Sequence, residues 1–131
     1  MHHIVYSSRT IYPFNEADLK YLMNQWRAKN ARLDVTGVLL YSEGDIMQVL
    51  EGPAAAVQGI FKTIAADVRH QAVIKLSDGP VQGRAFANWS MRFRAVDTDD
   101  FERFVQQTKA ASQYGDTLAP LLEVFMAPEA W

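Results

Sequence analysis

Apolar residues along this chain recur with two different periods, and the switches between them mark out the elements. Residues 2–8, HHIVYSS, combine β-branched and aromatic residues and end in small polar ones, which predicts a first strand. After the loop RTIYPF, Asn15 is placed to cap a helix with Asp18 in its first turn. Leu19, Leu22, Met23 and Trp26 then recur at helical spacing, and the helix runs to about Asn30. LDVTGVLLYS (33–42) and IMQVLEG (46–52) flank the turn EGD and predict a hairpin. Gly52-Pro53 opens a second helix, with proline at a first-turn position and Val57, Ile60, Phe61 and Ile64 as its stripe. AVIKLSD (72–78) predicts a fourth strand and 79–88 a connection. In NWSMRFRAV (88–96) the alternation predicts a fifth strand buried on one side, with Trp89, Met91 and Phe93 facing one way and Ser90, Arg92 and Arg94 the other. Two helices complete the chain. The first covers 97–111 with acidic residues in its first turn, and the second covers 116–126 with Leu118, Leu121, Leu122 and Phe125 as its stripe and Pro120 near its start.

This order is βαββαββ followed by two helices, an α+β class whose first six elements match the ferredoxin-like βαββαβ motif, with an additional fifth strand. In that arrangement the first and third strands lie side by side at the centre of the sheet. Period-2 alternation then places Ile4, Tyr6 and Ser8 on one face of strand one, and Ile46, Gln48 and Leu50 on one face of strand three, so a phenol and an amide become cross-strand neighbours. Strand three is apolar on both faces, so helices are expected on both: the first two on one side, the C-terminal pair on the other.

Gln48 is out of place in such a strand, because an amide buried without partners costs about 1–3 kcal/mol. Asn30 extends the stripe of the first helix four residues beyond Trp26 and brings a second amide inward. Each has a plain structural explanation: Asn30 as a C-cap, Tyr6 and Gln48 as a buried pair that satisfy each other. Together the three polar groups point to a pocket between the first two helices that suits a planar ligand with carbonyl and N–H edges.

Composition narrows the function. The chain has 131 residues, 49% of them apolar, 13 basic and 15 acidic side chains, a net charge of −2 and no cysteine. This fits one domain with a real core, without the basic footprint of a nucleic-acid binder and without thiol chemistry, disulfides or cysteine-ligated metal. MHHIVYSSR lacks a cationic start followed by a long apolar run, and no stretch approaches membrane-spanning length, so the expected location is cytoplasmic with no membrane partner. His2 and His3 are adjacent on a strand and face opposite sides, a poor metal pair, and no other cluster has ligand spacing.

The segments IVYSSR, KNARLDVTGVLLYSEGDIMQVLEGP, DVRH and WSMRF resemble, in order and spacing, the motifs of BLUF domains, blue-light sensors that bind flavin. The resemblance covers residues 1 to about 96, which implies a BLUF domain over 1–96 and a helical extension of the same domain over 97–131. It implies that the flavin, FAD with FMN as the alternative, lies between the first two helices. Tyr6 and Gln48 are then the photoactive pair, with Tyr6 donating an electron and Gln48 relaying a proton and rearranging. Asn30 holds the pyrimidine edge, and Asp67, Arg69 and His70 reach the ring edge or the ribityl chain. Trp89 and Met91 relay the signal. At position 63, where some members carry a basic residue, this chain has Thr63. The expected protein is not an enzyme. Its signalling state has a changed hydrogen bond from Gln48 to the flavin C4 carbonyl and a red-shifted absorption, and its output is protein contact, either a homo-oligomer or a separate downstream protein.

Two other classes fit the strand order. A small hydrolase on a ferredoxin-like sheet would need a base and nucleophile constellation, which the sequence does not display. A single-strand RNA-binding module would show exposed sheet aromatics and a basic face, against which the acidic balance and the additional elements argue.

Overall fold

The computed structural model describes the backbone of residues 1–10, 15–67, 70–111 and 113–125, and the side chains of all of these except Glu16, His70, Asp116, Thr117 and Ala119. Its elements are β1 (His2–Thr10), α1 (Glu16–Arg32), β2 (Thr36–Ser42), β3 (Asp45–Gly52), α2 (Ala54–Ala66), β4 (His70–Pro80), β5 (Arg92–Ala95), α3 (Thr98–Ala110) and α4 (Tyr114–Phe125). The sheet order is β4-β1-β3-β2-β5, with β5 parallel to β2 and every other pair antiparallel. The ferredoxin-like core with a fifth strand is therefore the fold.

Each face of the sheet carries its own core. On one, Ile4, Tyr6, Leu39, Ile46 and Leu50 pack against Leu19 and Met23 of α1 and Val57 and Ile60 of α2. On the other, Val5, Val38, Leu40, Met47 and Val49 pack against Phe101, Phe104 and Val105 of α3 and Leu121 and Phe125 of α4. The alternation along β1, β2 and β3 thus sends successive side chains into two separate cores, which is why β3 carries apolar residues on both faces, Ile46 and Leu50 on one and Met47 and Val49 on the other.

Local signals behave as their chemistry requires. The Asn15 side chain accepts from the Asp18 N–H, and that of Asp97 from the Asp100 N–H, so both helices start at side-chain caps. Glu43 and Gly44 have φ of 46° and 91° between the paired residues Ser42 and Asp45, the two-residue hairpin loop with both central residues left-handed. Gly37 is required by close approach: a Cβ there would lie 1.9 Å from the Val49 carbonyl oxygen.

Several boundaries differ from the sequence reading. α1 continues to Arg32, so Asn30 sits inside the helix and Leu33 is the C-cap. β4 is longer than 72–78, and β5 is confined to Arg92–Ala95, because its ladder with β2 starts only at Val38↔Arg92. α4 begins at Tyr114, which leaves Pro120 in the helix interior rather than near its start.

Candidate functional site

The β1–β3 register sets Tyr6 directly opposite Gln48. The Tyr6 hydroxyl donates to Gln48 Oε1, and Gln48 Nε2 donates to Met91 Sδ at 3.3 Å. The amide therefore bridges a phenol on β1 and a thioether just before β5. Gln48 and Tyr6 are both buried, and burial pushes the phenol above its ordinary pKa, so the hydroxyl keeps its proton across the physiological range. Phe61 of α2 meets the Tyr6 ring edge-on, with centroids 5.5 Å apart, and fixes its plane.

Above this pair, α1 and α2 leave a cleft of about 120 Å³ lined by Trp26, Lys29 and Asn30 from α1, Leu39, Ile46 and Gln48 from the sheet, and Ile60, Thr63, Ile64 and Asp67 from α2 and its C-cap, with Tyr6 at its floor. The walls are aromatic and aliphatic, and the amides of Asn30 and Gln48 supply donors and acceptors. That donor set fits a planar heteroaromatic ring with carbonyl and N–H edges, such as a flavin. Asn30 Nδ2 donates to the Ser90 carbonyl at 2.9 Å, which uses part of the amide's capacity and leaves a second N–H and an acceptor oxygen. Thr63 lines the cleft and brings no charge to it, and its hydroxyl donates to the Gly59 carbonyl of its own helix at 3.0 Å.

Of the residues singled out in the sequence, Tyr6, Asn30, Gln48 and Asp67 come together at this cleft, and Met91 joins them through Gln48. Arg69 and the side chain of His70 lie outside the described residues. Trp89 is a correction. The alternation of 88–96 predicts it beside Met91 on the inner face of a strand, but the strand begins at Arg92, and alternation does not extend back through the turn. Met91 lies in the cleft-side core, whereas Trp89 is half-buried against the opposite one, stacked on Phe86 at 6.0 Å with the Arg92 guanidinium 5.0 Å from its ring.

Two further roles were not legible in the sequence. Trp26 looked like core and lines the cleft instead. On the far side of β3, Glu51 is fully buried and accepts from the Ala85 and Phe86 N–H groups at 2.9 and 2.8 Å and from the Tyr114 hydroxyl at 2.7 Å. Tyr114 also stacks on His3 with centroids 3.9 Å apart, and burial lowers His3 below its ordinary pKa. Glu51 and His3 thus tie α4 and the β4–β5 connection to the sheet. Among the described residues no group of three or more His, Asp or Glu is arranged to hold a metal.

Residues 1–92 match the sequence model of a family described as "BLUF: Sensors of blue-light using FAD". A subunit beta of photoactivated adenylate cyclase from Euglena longa is 36% identical over 89 residues, 67% of this chain and 10% of that protein. The chain spans about a tenth of the length of the curated relatives it matches. Among solved structures, the dark state of the BLUF protein BlrB superposes with a TM-score of 0.70 at 30% identity, over 94% of this chain and 92% of that one. The photo-activated state of BlsA gives a TM-score of 0.76 at 23% identity, over 99% of this chain and 98% of that one, a likeness of fold.

Proposed function

This chain belongs to the BLUF family of blue-light flavin sensors, and on that premise we propose that Tyr6 and Gln48 are its photoactive switch, with FAD bound non-covalently between α1 and α2. The observation that carries the reading is the hydrogen-bonded run Tyr6–Gln48–Met91 at the floor of the α1–α2 cleft. A bound flavin supplies the blue-light absorption and accepts an electron when excited.

The rest is work for the protein's own groups. Asn30 holds the polar edge of the ring, and Asp67, Arg69 and His70 serve the ring edge or the ribityl chain. Ile60, Ile64 and Trp26 exclude water from its faces. Tyr6 would give an electron to the excited flavin and pass its hydroxyl proton toward Gln48 Oε1, and both would return to Tyr6 once the amide has reoriented, so no net oxidation remains. Gln48 offers different patterns at its two ends, an acceptor at Oε1 and donors at Nε2. In the observed orientation both ends are matched, the oxygen by a phenol O–H and the nitrogen by a weak thioether acceptor. Reorienting the amide turns Nε2 toward the Tyr6 hydroxyl, which can accept as well as donate, and turns Oε1 toward Met91 Sδ, which has no hydrogen to give, so the two orientations offer their neighbours different hydrogen bonds. A hydrogen bond from Gln48 to a bound ring, changed by this reorientation, would shift the ring's absorption to the red.

Output passes by protein contact, to a second copy of the chain or to a separate partner, with residues 1–96 as sensor and 97–131 as its helical extension. We read the chain as non-catalytic in itself; the cyclase activity of its relatives is theirs. No helix among the described residues is long and apolar enough to cross a membrane, and cytoplasm is the compartment we propose.

Tyr6→Phe tests the switch. It keeps the ring that packs on Phe61 and removes only the hydroxyl, so the purified variant should hold flavin and be yellow, yet show no reversible red shift under blue light. A full, reversible shift in this variant contradicts the reading.

A further inference from the structure

The structure assigns a positioning role to Arg27: its guanidinium Nε, donating to the Met91 carbonyl, holds the Met91 thioether where the Gln48 amide reaches it. This rests on the reading of Gln48 as the switch and adds the element that sets one of its two partners.

Residues 88–91 precede the β2–β5 ladder, so their carbonyls have no regular strand partner. They are met one by one instead. The Gly37 N–H donates to the Trp89 carbonyl at 2.9 Å, Asn30 Nδ2 to that of Ser90 at 2.9 Å, and Arg27 Nε to that of Met91 at 2.7 Å. Three successive carbonyls are thus held from β2 and from one flank of α1, where residues three apart are neighbours. Met91 is 2% exposed, and a buried carbonyl without a donor is costly, so the segment is committed to this path only while the donors are present. The side chain of the same residue receives Gln48 Nε2 through its sulfur. A methionine has three rotatable bonds, so its sulfur is only as well placed as the backbone that carries it. Arg27 fixes that backbone.

The donating atom also says which substitution should work. Nε is attached to Cδ, and a glutamine at 27 places its Nε2 on Cδ as well, the same number of bonds from the backbone. Arg27→Gln therefore keeps a donor for Met91 and removes the charge, whereas Arg27→Leu keeps apolar bulk and removes the donor.

The experiment is NMR of methyl-¹³C methionine protein, flavin-free and flavin-loaded, with the Met91 signal among the five methionines assigned through Met91→Leu. In Arg27→Leu the Met91 signal should move toward that of an exposed methionine or broaden in both forms. In the loaded form the thermal return of the red-shifted state should change by about tenfold, equivalent to about 1.4 kcal/mol in the barrier. Arg27→Gln should restore both. An unmoved Met91 signal in Arg27→Leu, or an Arg27→Gln variant that behaves like the leucine, overturns the proposal. The flavin-free signal does not depend on photochemistry, so a failure of the Gln48 reading shows separately, as a red shift that survives Tyr6→Phe. Wild-type protein supplies a measure independent of how Arg27→Leu folds. The Arg27 Nε–H, assigned by its loss in Arg27→Gln, should exchange with solvent at least about tenfold more slowly than free arginine, as a hydrogen-bonded donor does; exchange at the free rate overturns the proposal.

Discussion

Gln48 is held by what lies on either side of it rather than by the strand it belongs to. Leu39 and Gln48 share a register position across β2 and β3, and an apolar side chain at 48 would suit that row. What the amide adds is connection: Tyr6 at one end, Met91 at the other. This pairing was readable in the sequence, because strand alternation is a strict rule and the central position of strands one and three follows from the element order. Asn30 was readable as an inward amide but not as to its partner. Its role inside α1 is now distinct from a cap, since Leu33 closes the helix. Asn30→Ala should cost the flavin-free fold about 1 kcal/mol, for the lost bond to the Ser90 carbonyl, and should cost the flavin-bound form more, because the ligand loses its polar anchor as well. Thermal melts of both forms, with cofactor content measured in each, check this; equal losses in the two forms would remove Asn30 from the binding site. Arg27 and Glu51 were beyond reach of the sequence, because both bond main-chain groups of irregular segments, whose positions no side-chain periodicity encodes.

Among the elements, long periodic helices and the central hairpin were the legible ones, and the segments around β5 were not. Alternation from Trp89 to Phe93 looks like a strand, yet the ladder starts at Arg92, and the turn before it sends Trp89 to the opposite core. The cause is the parallel pairing of β5 with β2, whose register depends on a long connection that carries no local signal. Gly37 shows how tightly β2 is built into this arrangement. It faces the Val49 carbonyl at a distance no side chain tolerates, and its N–H holds the Trp89 carbonyl. Gly37→Ala should therefore destabilise by more than about 3 kcal/mol, roughly 10 °C in melting midpoint. A thermal melt of the flavin-free variant reads this directly, and a loss under about 1 kcal/mol would mean that the β2–β3 pair has room that the register denies.

At the scale of the whole molecule, one sheet separates two cores with different work. The α1–α2 side holds the cleft and the Tyr6–Gln48 pair proposed as the switch; the α3–α4 side carries Glu51, His3 and Tyr114, which fasten α4 and the β4–β5 connection to the same strands. β3 contributes Gln48 to the first and Glu51 to the second, three residues apart, and the segment before β5 sends Met91 to one core and Trp89 to the other. Met91 and the segment that Arg27, Asn30 and Gly37 hold thus connect Gln48 to Trp89 on the α3–α4 side. The α+β class and the covering of both faces followed from the element order and from a central strand with apolar residues on both faces. The most direct test of the account is the light-minus-dark absorption difference of the purified Gln48→Leu protein beside wild type. Leucine keeps roughly the volume of the side chain and suits the strand, so the fold and flavin content should persist, and the account predicts a reversible red shift in wild type and a yellow Gln48→Leu protein that lacks it. A full, reversible red shift in Gln48→Leu would contradict it and would leave Gln48 a satisfied core amide.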